Sequence, residues 1–247
     1  MNRAEIVSKD RWAAAQKAHL QREKQLTRMR DSVNAERQKL PWRRLEKTYE
    51  FLGPQGKTSL ADLFDGRSQL IVQHFMFAPE WQEGCVGCSF LADHVDAARR
   101  HFEHKDLSFA AVSRAPLAKI ENYRRRLGWR FTWVSSEGSD FNFDFHVSFR
   151  PEELATGEVY YNYRMTENTS PDLPGVSTFY RNETGEIFHV SSNFGRGDEL
   201  LIGAYNYLDL APKGRDETGP SGNLMDWVRR NDQYEKSSKK IAAACCA

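Results

Sequence analysis

The sequence predicts an α/β protein, a central sheet of mixed pairing flanked by helices. Three observations predict it. Residues 69–77, QLIVQHFMF, are a nearly continuous apolar run of strand length, as suits a strand covered on both faces. Segments of helical period alternate with strand-like segments after that run. Late in the chain, VSTFYRN and EIFHVSS flank the turn residues 182–185, the signature of a hairpin and so of antiparallel pairing.

Each element has its own warrant. In the first forty or so residues, Trp12, Ala15, His19, Arg22, Leu26, Met29 and Val33 recur at alternating three- and four-residue steps, which predicts one long helix ended by Pro41. Its stripe is only partly apolar, so it packs loosely or at an interface. The Arg, Lys, Glu and Gln around it read as a solvated face. KTYEFLG reads as a strand, GPQGK as its turn and SLADLF as a short helical turn. After the run at 69–77, a loop over 78–84 leads to a pair of cysteines. From Cys88, the spacing of Leu91, Val95, Ala98 and Phe102 is helical. LSFAAVS is the next strand, and PLAKIENYRRRLG the next helix, opened by Pro116 and closed by Gly128.

Residues 129–175 are too many for a plain loop. Within them Phe141, Phe143, Phe145, Val147 and Phe149 alternate with polar residues, which predicts a half-buried strand, with VYYNYRM as its pairing partner. This is read as an inserted aromatic β-hairpin or lid. A last helix spans 198–210. Beyond Ala211 the chain is polar, with LMDWVRR as its one amphipathic piece.

In order, the core is strand, cysteine pair, helix, strand, helix, insertion, hairpin, helix. That is the order of a thioredoxin-like fold, with the cysteines after the first core strand and at the start of its helix. The expected organisation is a helical arm over 1–41, a thioredoxin-like domain over 42–211 with its insertion at 129–175, and a C-terminal extension and tail over 212–247.

Composition narrows the function. The 247 residues carry 35 basic and 34 acidic side chains, a net charge of +1, which gives no electrostatic case for nucleic acid or an anionic membrane. The N-terminal residues are charged throughout, and no stretch is apolar enough to span a bilayer, so a soluble, cytoplasmic protein is expected. Four cysteines do not make a disulfide-stapled framework. In a reducing compartment a close pair points instead to redox chemistry or a metal.

That pair lies in EGCVGCSF, residues 83–90. A helix start offers unpaired N–H groups and the positive end of the helix dipole, and both favour a thiolate. Cys85 is the expected attacking thiol. Cys88, one turn on, is placed to resolve the mixed disulfide. Gly84 and Gly87 leave room for an approaching substrate, Trp81 can shield the thiol, and Glu80 and Glu83 can oppose its ionisation. Zinc needs four ligands, and four cysteines at structural-zinc spacing are absent, since Cys245 and Cys246 sit together in the tail. Metal ligation shared with His94, His101, His104, His146 or His189 is the weaker alternative, and inert packing a third. No metal or cofactor is expected. The bland readings of His101 and His104 (helix-end residues) and His74 (a hydrogen-bonded core residue) are preferred. So is a disordered tail for Cys245 and Cys246.

The segments EKQLTRMRD, YEFLGPQGKTSLADLF, SQLIVQHFMFAPEW, GCVGCSFLADH, VSRAPLAKIENYRRRLGW, WVSSEGSDFNFDF, GVSTFYR and LDLAPKGRDE together resemble a bacterial family, domain of unknown function 899. The resemblance runs over about 23–234 and implies a predicted dithiol-disulfide oxidoreductase with a thioredoxin-like fold, its pair falling on Cys85 and Cys88. The stretch before the cysteines, and FAAVS after them, also resemble peroxiredoxins. One departure from thioredoxins stands out. Where those proteins place a proline facing the pair, this chain has Val176 or Ser177, and the nearest proline is Pro174.

The expectation is thiol–disulfide exchange on a disulfide-bearing substrate, with an external thiol reductant. The alternatives are a thiol peroxidase on the same pair, acting on a peroxide, or a non-catalytic metal- or protein-binding module on a borrowed fold. The N-terminal helix is the candidate surface for pairing with a second copy.

Overall fold

A computed structural model of the chain describes residues 4–217 and 225–234, in two compact units, Met1–Trp42 and Arg43–Ala247. The first unit is α1, Lys9–Arg37, whose N-cap Ser8 accepts a hydrogen bond from the Arg11 N–H. No residue of α1 is buried, and Trp12, Leu26, Met29 and Val33 of its stripe are exposed. The helix closes at Arg37, ahead of Pro41. Among the described residues no helix is long and apolar enough to cross a membrane.

The second unit is built on an eight-stranded sheet. Its strands are β1 (Arg43–Arg44), β2 (Glu50–Gly53), β3 (Gly56–Ser59), β4 (Gln69–His74), β5 (Leu107–Ser113) and β6 (Thr132–Ser135). After an excursion, β9 (Gly175–Arg181) and β10 (Ile187–Phe194) complete it. The spatial order is β1-β10-β9-β4-β5-β6-β2-β3. The predicted central run, β4, pairs in parallel with β5 and antiparallel with β9. Helices α2 (Val86–Ala92) and α3 (Val95–His104) connect β4 to β5, and α4 (Leu117–Leu127) connects β5 to β6. Gly128 closes α4 at φ +76°, a left-handed position that glycine takes without strain. Strands β5-β4-β9-β10, with the cysteine pair opening the helix that follows β4, make the fold thioredoxin-like.

Alternation along the strands divides the core in two. Ile71, Phe75, Phe109, Ala111 and Trp133 face one cluster, closed by Phe90, Leu91, Ile120, Tyr123 and Tyr205. Leu70, Val72, Ala110, Val112 and Val134 face the other, closed by Leu63, Phe64 and the aromatic residues of the excursion. The longer helices therefore cover one face. A 3-10 turn, Asp62–Phe64, and the inserted segment cover the second.

The structure departs from several expectations. The sheet takes in Thr132–Ser135 as β6, so the chain leaves it after Ser135 and not at residue 129. Phe141–Phe149 is not a strand. Phe141–Asp144 is a single helical turn, α5, with Asp144 and Phe145 N–H groups bonded to the Asp140 and Phe141 carbonyls. The i, i+4 spacing stacks Phe141 on Phe145, ring centroids 4.7 Å apart, and both rings lie on His74. A Phe at every second position fits a strand only if a neighbour supplies a ladder, and here the pairing amounts to one isolated antiparallel bridge, Ser148 to Asp172, at the segment's end. His146 then reverses the chain at φ +54°. A second one-turn helix, α6 (Pro151–Leu154), follows.

VYYNYRM does not pair with the Phe segment. It folds on itself as β7 (Glu158–Tyr161) and β8 (Arg164–Glu167), turning through Asn162 and Tyr163, both at positive φ. The helix after the cysteines breaks between Ala92 and Val95, where the His94 imidazole takes the Phe90 carbonyl at 2.7 Å. The last helix is likewise split into a 3-10 stretch, Gly195–Leu201, and α7, Gly203–Leu210. Of LMDWVRR, residues 225–227 form a turn and 228–230 are irregular, with Val228 buried, because the chain is held there by specific contacts and not by an amphipathic face.

Candidate active site

The loop after β4 is tied to the sheet by the Cys85 N–H, which donates to the Met76 carbonyl at 3.0 Å. This sets Cys85 as the N-cap of α2. Its sulfur accepts the Cys88 N–H at 3.4 Å. Cys85 is half-buried, and Cys88 is buried. The Cys88 thiol also donates to the Cys85 sulfur. That bond, with the N–H groups of Cys88 and Gly87 and the charge of Arg230, holds the Cys85 thiol below its usual range despite burial. The same bond, burial and the negative charge of Cys85 push the Cys88 thiol well up. The two sulfurs are thus electronically unequal, one biased to thiolate and the other to thiol.

The expected opposition from Glu83 is cancelled by two cations. Arg126 binds it at 2.6 Å and Arg230 at 2.8 Å, and the Arg126 bond in particular holds its carboxyl below the usual range. Glu80 is exposed. Arg230 reaches further, donating to the Gly84 carbonyl at 2.7 Å and the Tyr123 hydroxyl at 2.6 Å. Tyr123 in turn bonds Ser89 at 2.9 Å. A segment read as tail therefore straps the cysteine loop, and neither spacing nor period near the cysteines signals it.

A cavity of about 660 Å³ opens beside the pair. Cys85, Gly87 and Cys88 line it, as do Pro174 and Gly175. Val176 and Ser177 do not: Val176 packs in the core beside Cys88 and Ser177 bonds the His74 Nε2 at 2.8 Å. Alternation along β9 turns Ser177 to the opposite face, Val176 is taken up in the core packing under the pair, and the residues just before them supply the wall. Gly84 is not an open approach either. A Cβ there would lie 2.6 Å from the Phe75 ring, so glycine is needed for close packing. Trp81 packs against the core cluster, and its carbonyl accepts from Lys119 at 3.1 Å. At Gly87 a Cβ would meet only the Met225 methyl, at 3.1 Å, and the Cys85 sulfur, at 3.8 Å.

Sequence reasoning misses Arg196, Glu199, Asp226 and Arg229 of the cavity wall and, more deeply buried, Gln73 and Asp198. Gln73 is 2% exposed and Asp198 is 7% exposed. Gln73 Nε2 donates to the Cys88 carbonyl at 2.9 Å, while Gln73 Oε1 and Asp198 Oδ1 have no partner among the described residues. Burial pushes the Asp198 carboxyl up to about 8. A polar residue on the inner face of an apolar strand was the available signal for Gln73. Asp198 had none.

His94 and His189 are engaged away from the sulfurs, and His74, which lines the cavity, has both ring nitrogens committed. The His94 Nε2 accepts the Ala204 N–H at 3.0 Å, so its Nδ1 carries the proton given to Phe90. His74 is buried in a directed chain. Its Nδ1–H donates to Asn142 Oδ1, the Ser177 hydroxyl donates to its Nε2, Ser192 donates to Ser177, and His189 Nε2–H donates to Ser192. Burial pulls both imidazoles down, to about 4. Among the described residues no three His, Cys, Asp or Glu side chains gather to hold a metal. Cys245 and Cys246 lie outside the described residues.

Fold and site together define a thioredoxin-like protein with two free, unequal thiols at a helix start. The chain belongs to the bacterial proteins of unknown function grouped as DUF899, whose family model matches residues 1–234. No curated protein matches it. Among solved structures it is similar to the peroxidoxin BcpB from Mycobacterium tuberculosis, at 12% identity and a TM-score of 0.43, over 66% of this chain and 94% of that one. It is also similar to the Xanthomonas campestris bacterioferritin comigratory protein, at 14% identity and 0.42, over 66% and 92%. A mitochondrial 2-cys peroxiredoxin from Plasmodium falciparum is similar at 14% and 0.40, over 70% and 97%.

Proposed function

We propose that the protein is a thiol–disulfide oxidoreductase working through Cys85 and Cys88. The supporting observation is the convergence of the Cys88 N–H and thiol on the Cys85 sulfur at the first turn of α2. A thiolate is the attacking species in exchange, and a resolving thiol is best kept protonated until the mixed disulfide exists. The Cys85 thiolate attacks one sulfur of a substrate disulfide. That S–S bond breaks, and the departing thiolate takes a proton from solvent. Cys88 then loses its proton and attacks the Cys85 sulfur, releasing the second thiolate and closing the Cys85–Cys88 disulfide. Two electrons and two protons pass to the substrate, and an external thiol reductant restores the pair.

Cys85→Ser should abolish exchange, whereas Cys88→Ser should accumulate mixed disulfides, read by mass spectrometry of the intact protein. Parent-like disulfide reduction by Cys85→Ser would falsify the assignment of roles.

A second reading, thiol peroxidase, is favoured by the cavity, which suits a small oxidant at Cys85. There the thiolate attacks a peroxide, the O–O bond breaks, the departing oxygen takes a proton from solvent and leaves as water or an alcohol, and Cys85 becomes a sulfenic acid. Cys88 condenses with it and water leaves. Thiol loss on mixing reduced protein with hydrogen peroxide, set against thiol loss with a disulfide, separates the two.

A further inference from the structure

We propose that the cavity beside the cysteine pair binds a low-molecular-weight organic disulfide, with an apolar body against its walls and a neutral hydrogen-bond-donating head group on Gln73 and Asp198. The proposal rests on the redox reading above and names its substrate class. At about 660 Å³ the cavity lies within the roughly 300–1,000 Å³ typical of small-ligand sites. Val86, Leu91, Ile202, Tyr205, Met225 and Val228 supply apolar surface around the sulfurs.

Two acceptors in this wall wait for donors. Gln73 cannot satisfy its Oε1 by turning over, because its Nε2 is committed to the Cys88 carbonyl. Asp198 Oδ1 is equally unpartnered among the described residues. Each such buried acceptor is destabilising while unpaired, so a ligand with hydroxyl or amide donors recovers that cost on binding. Burial keeps the Asp198 carboxyl protonated near neutral pH, its carbonyl oxygen still an acceptor, and the other charges among the lining residues balance, Arg196 and Arg229 against Glu199 and Asp226, so the wall selects no net charge. This favours a neutral head over a carboxylate or an ammonium. Cys88 is buried and Cys85 half-buried, which suits a molecule that enters the cavity better than a disulfide fixed on a protein surface.

The reaction balances as in the exchange above: R–S–S–R and the two protein thiols yield two R–SH and the Cys85–Cys88 disulfide. It can be read in a single turnover of reduced protein without a reductant. The probes are bis(2-hydroxyethyl) disulfide, which carries donors, diethyl disulfide, which does not, and insulin as a protein disulfide. In the parent, the hydroxylated probe should oxidise the pair fastest, with saturation, and insulin slowest. Asp198→Leu should slow the hydroxylated probe roughly 3- to 10-fold, the weight of one hydrogen bond, and leave diethyl disulfide within about twofold. Ile202→Phe, which fills the cavity, should slow both small probes and spare insulin.

Insulin oxidising the pair faster than either small probe would overturn the proposal, as would equal slowing of both small probes by Asp198→Leu. The doubly substituted Cys85→Ser/Cys88→Ser protein separates the two readings. If it binds bis(2-hydroxyethyl) disulfide, and Ile202→Phe removes the binding, the site stands even where the parent fails to oxidise. Such a failure would count against the redox reading alone. Absence of binding at any concentration up to solubility overturns the site.

Discussion

Arg230 donates to the carbonyl of Gly84 at 2.7 Å across 146 positions of sequence. That bond places a guanidinium, also paired with Glu83, behind the loop that presents Cys85. Arg230→Gln keeps a donor and removes the charge. The Cys85 thiol, held below its usual range partly by that charge, should titrate higher in the variant. Alkylation by iodoacetamide should slow roughly 2- to 5-fold near neutral pH, the effect of one partly screened charge. The two proteins should converge above pH 9, where either thiol is ionised. Identical pH profiles would remove Arg230 from any electrostatic role.

Asp198 makes stability fall as pH rises. Its folded-state carboxyl titrates near 8 because of burial, whereas in the unfolded chain it titrates near 3.9. Between about pH 4 and 8 the folded state therefore holds a proton that the unfolded state has lost, and that contribution disappears as pH climbs through the folded value. Asp198→Asn should gain stability relative to the parent on going from pH 5 to pH 8, by up to several kcal/mol. Urea denaturation of both proteins at the two pH values measures it, and the difference between them cancels every other titrating group.

His74 works in the opposite direction. Burial holds its imidazole near 4, against about 6.5 when unfolded, so its neutral form stabilises the fold above pH 6.5 and that contribution is lost as pH falls toward 4. Replacing the ring strands Asn142 Oδ1 and the Ser177 hydroxyl in the core. His74→Leu should cost about 2–4 kcal/mol and flatten the acid side of the stability profile. Both are read from chemical denaturation between pH 4 and 7.

The two glycines flanking Cys85 should respond unequally. Gly84→Ala drives a Cβ to 2.6 Å from Phe75, a ring fixed in the core, and should cost more than about 2 kcal/mol. Gly87→Ala meets at 3.1 Å the end of the Met225 side chain, which can swing, and should cost under about 1 kcal/mol. Thermal melts of the two variants rank them.

How legible the site was differs residue by residue. Cys85 and Cys88 stand out because two intervening residues at a helix start are a local pattern, readable wherever the period changes. Beside a cysteine Gly84 reads as openness, yet its lack of a side chain answers the crowding of Phe75, the residue just past the end of β4. Analogy with another family's proline points to Val176 and Ser177, whereas Pro174 and Gly175 are the residues on the cavity. The Phe segment misled because a period of two is read from spacing alone, while a strand also needs a neighbour for its N–H and C=O groups.

By itself the sequence determined the order of the core elements outside residues 129–175, the hairpin at 182–185 and the thiol pair at the opening of α2, since hydrophobic period, turn residues and helix starts act over a few residues. Only the tertiary structure decided which groups surround the sulfurs. Arg230 meets Tyr123 across 107 positions, and Asp198 and Gln73 meet in one cavity wall from distant elements. Charge and hydrogen bonding in that wall depend on burial, and burial belongs to the packed chain and to no segment of it.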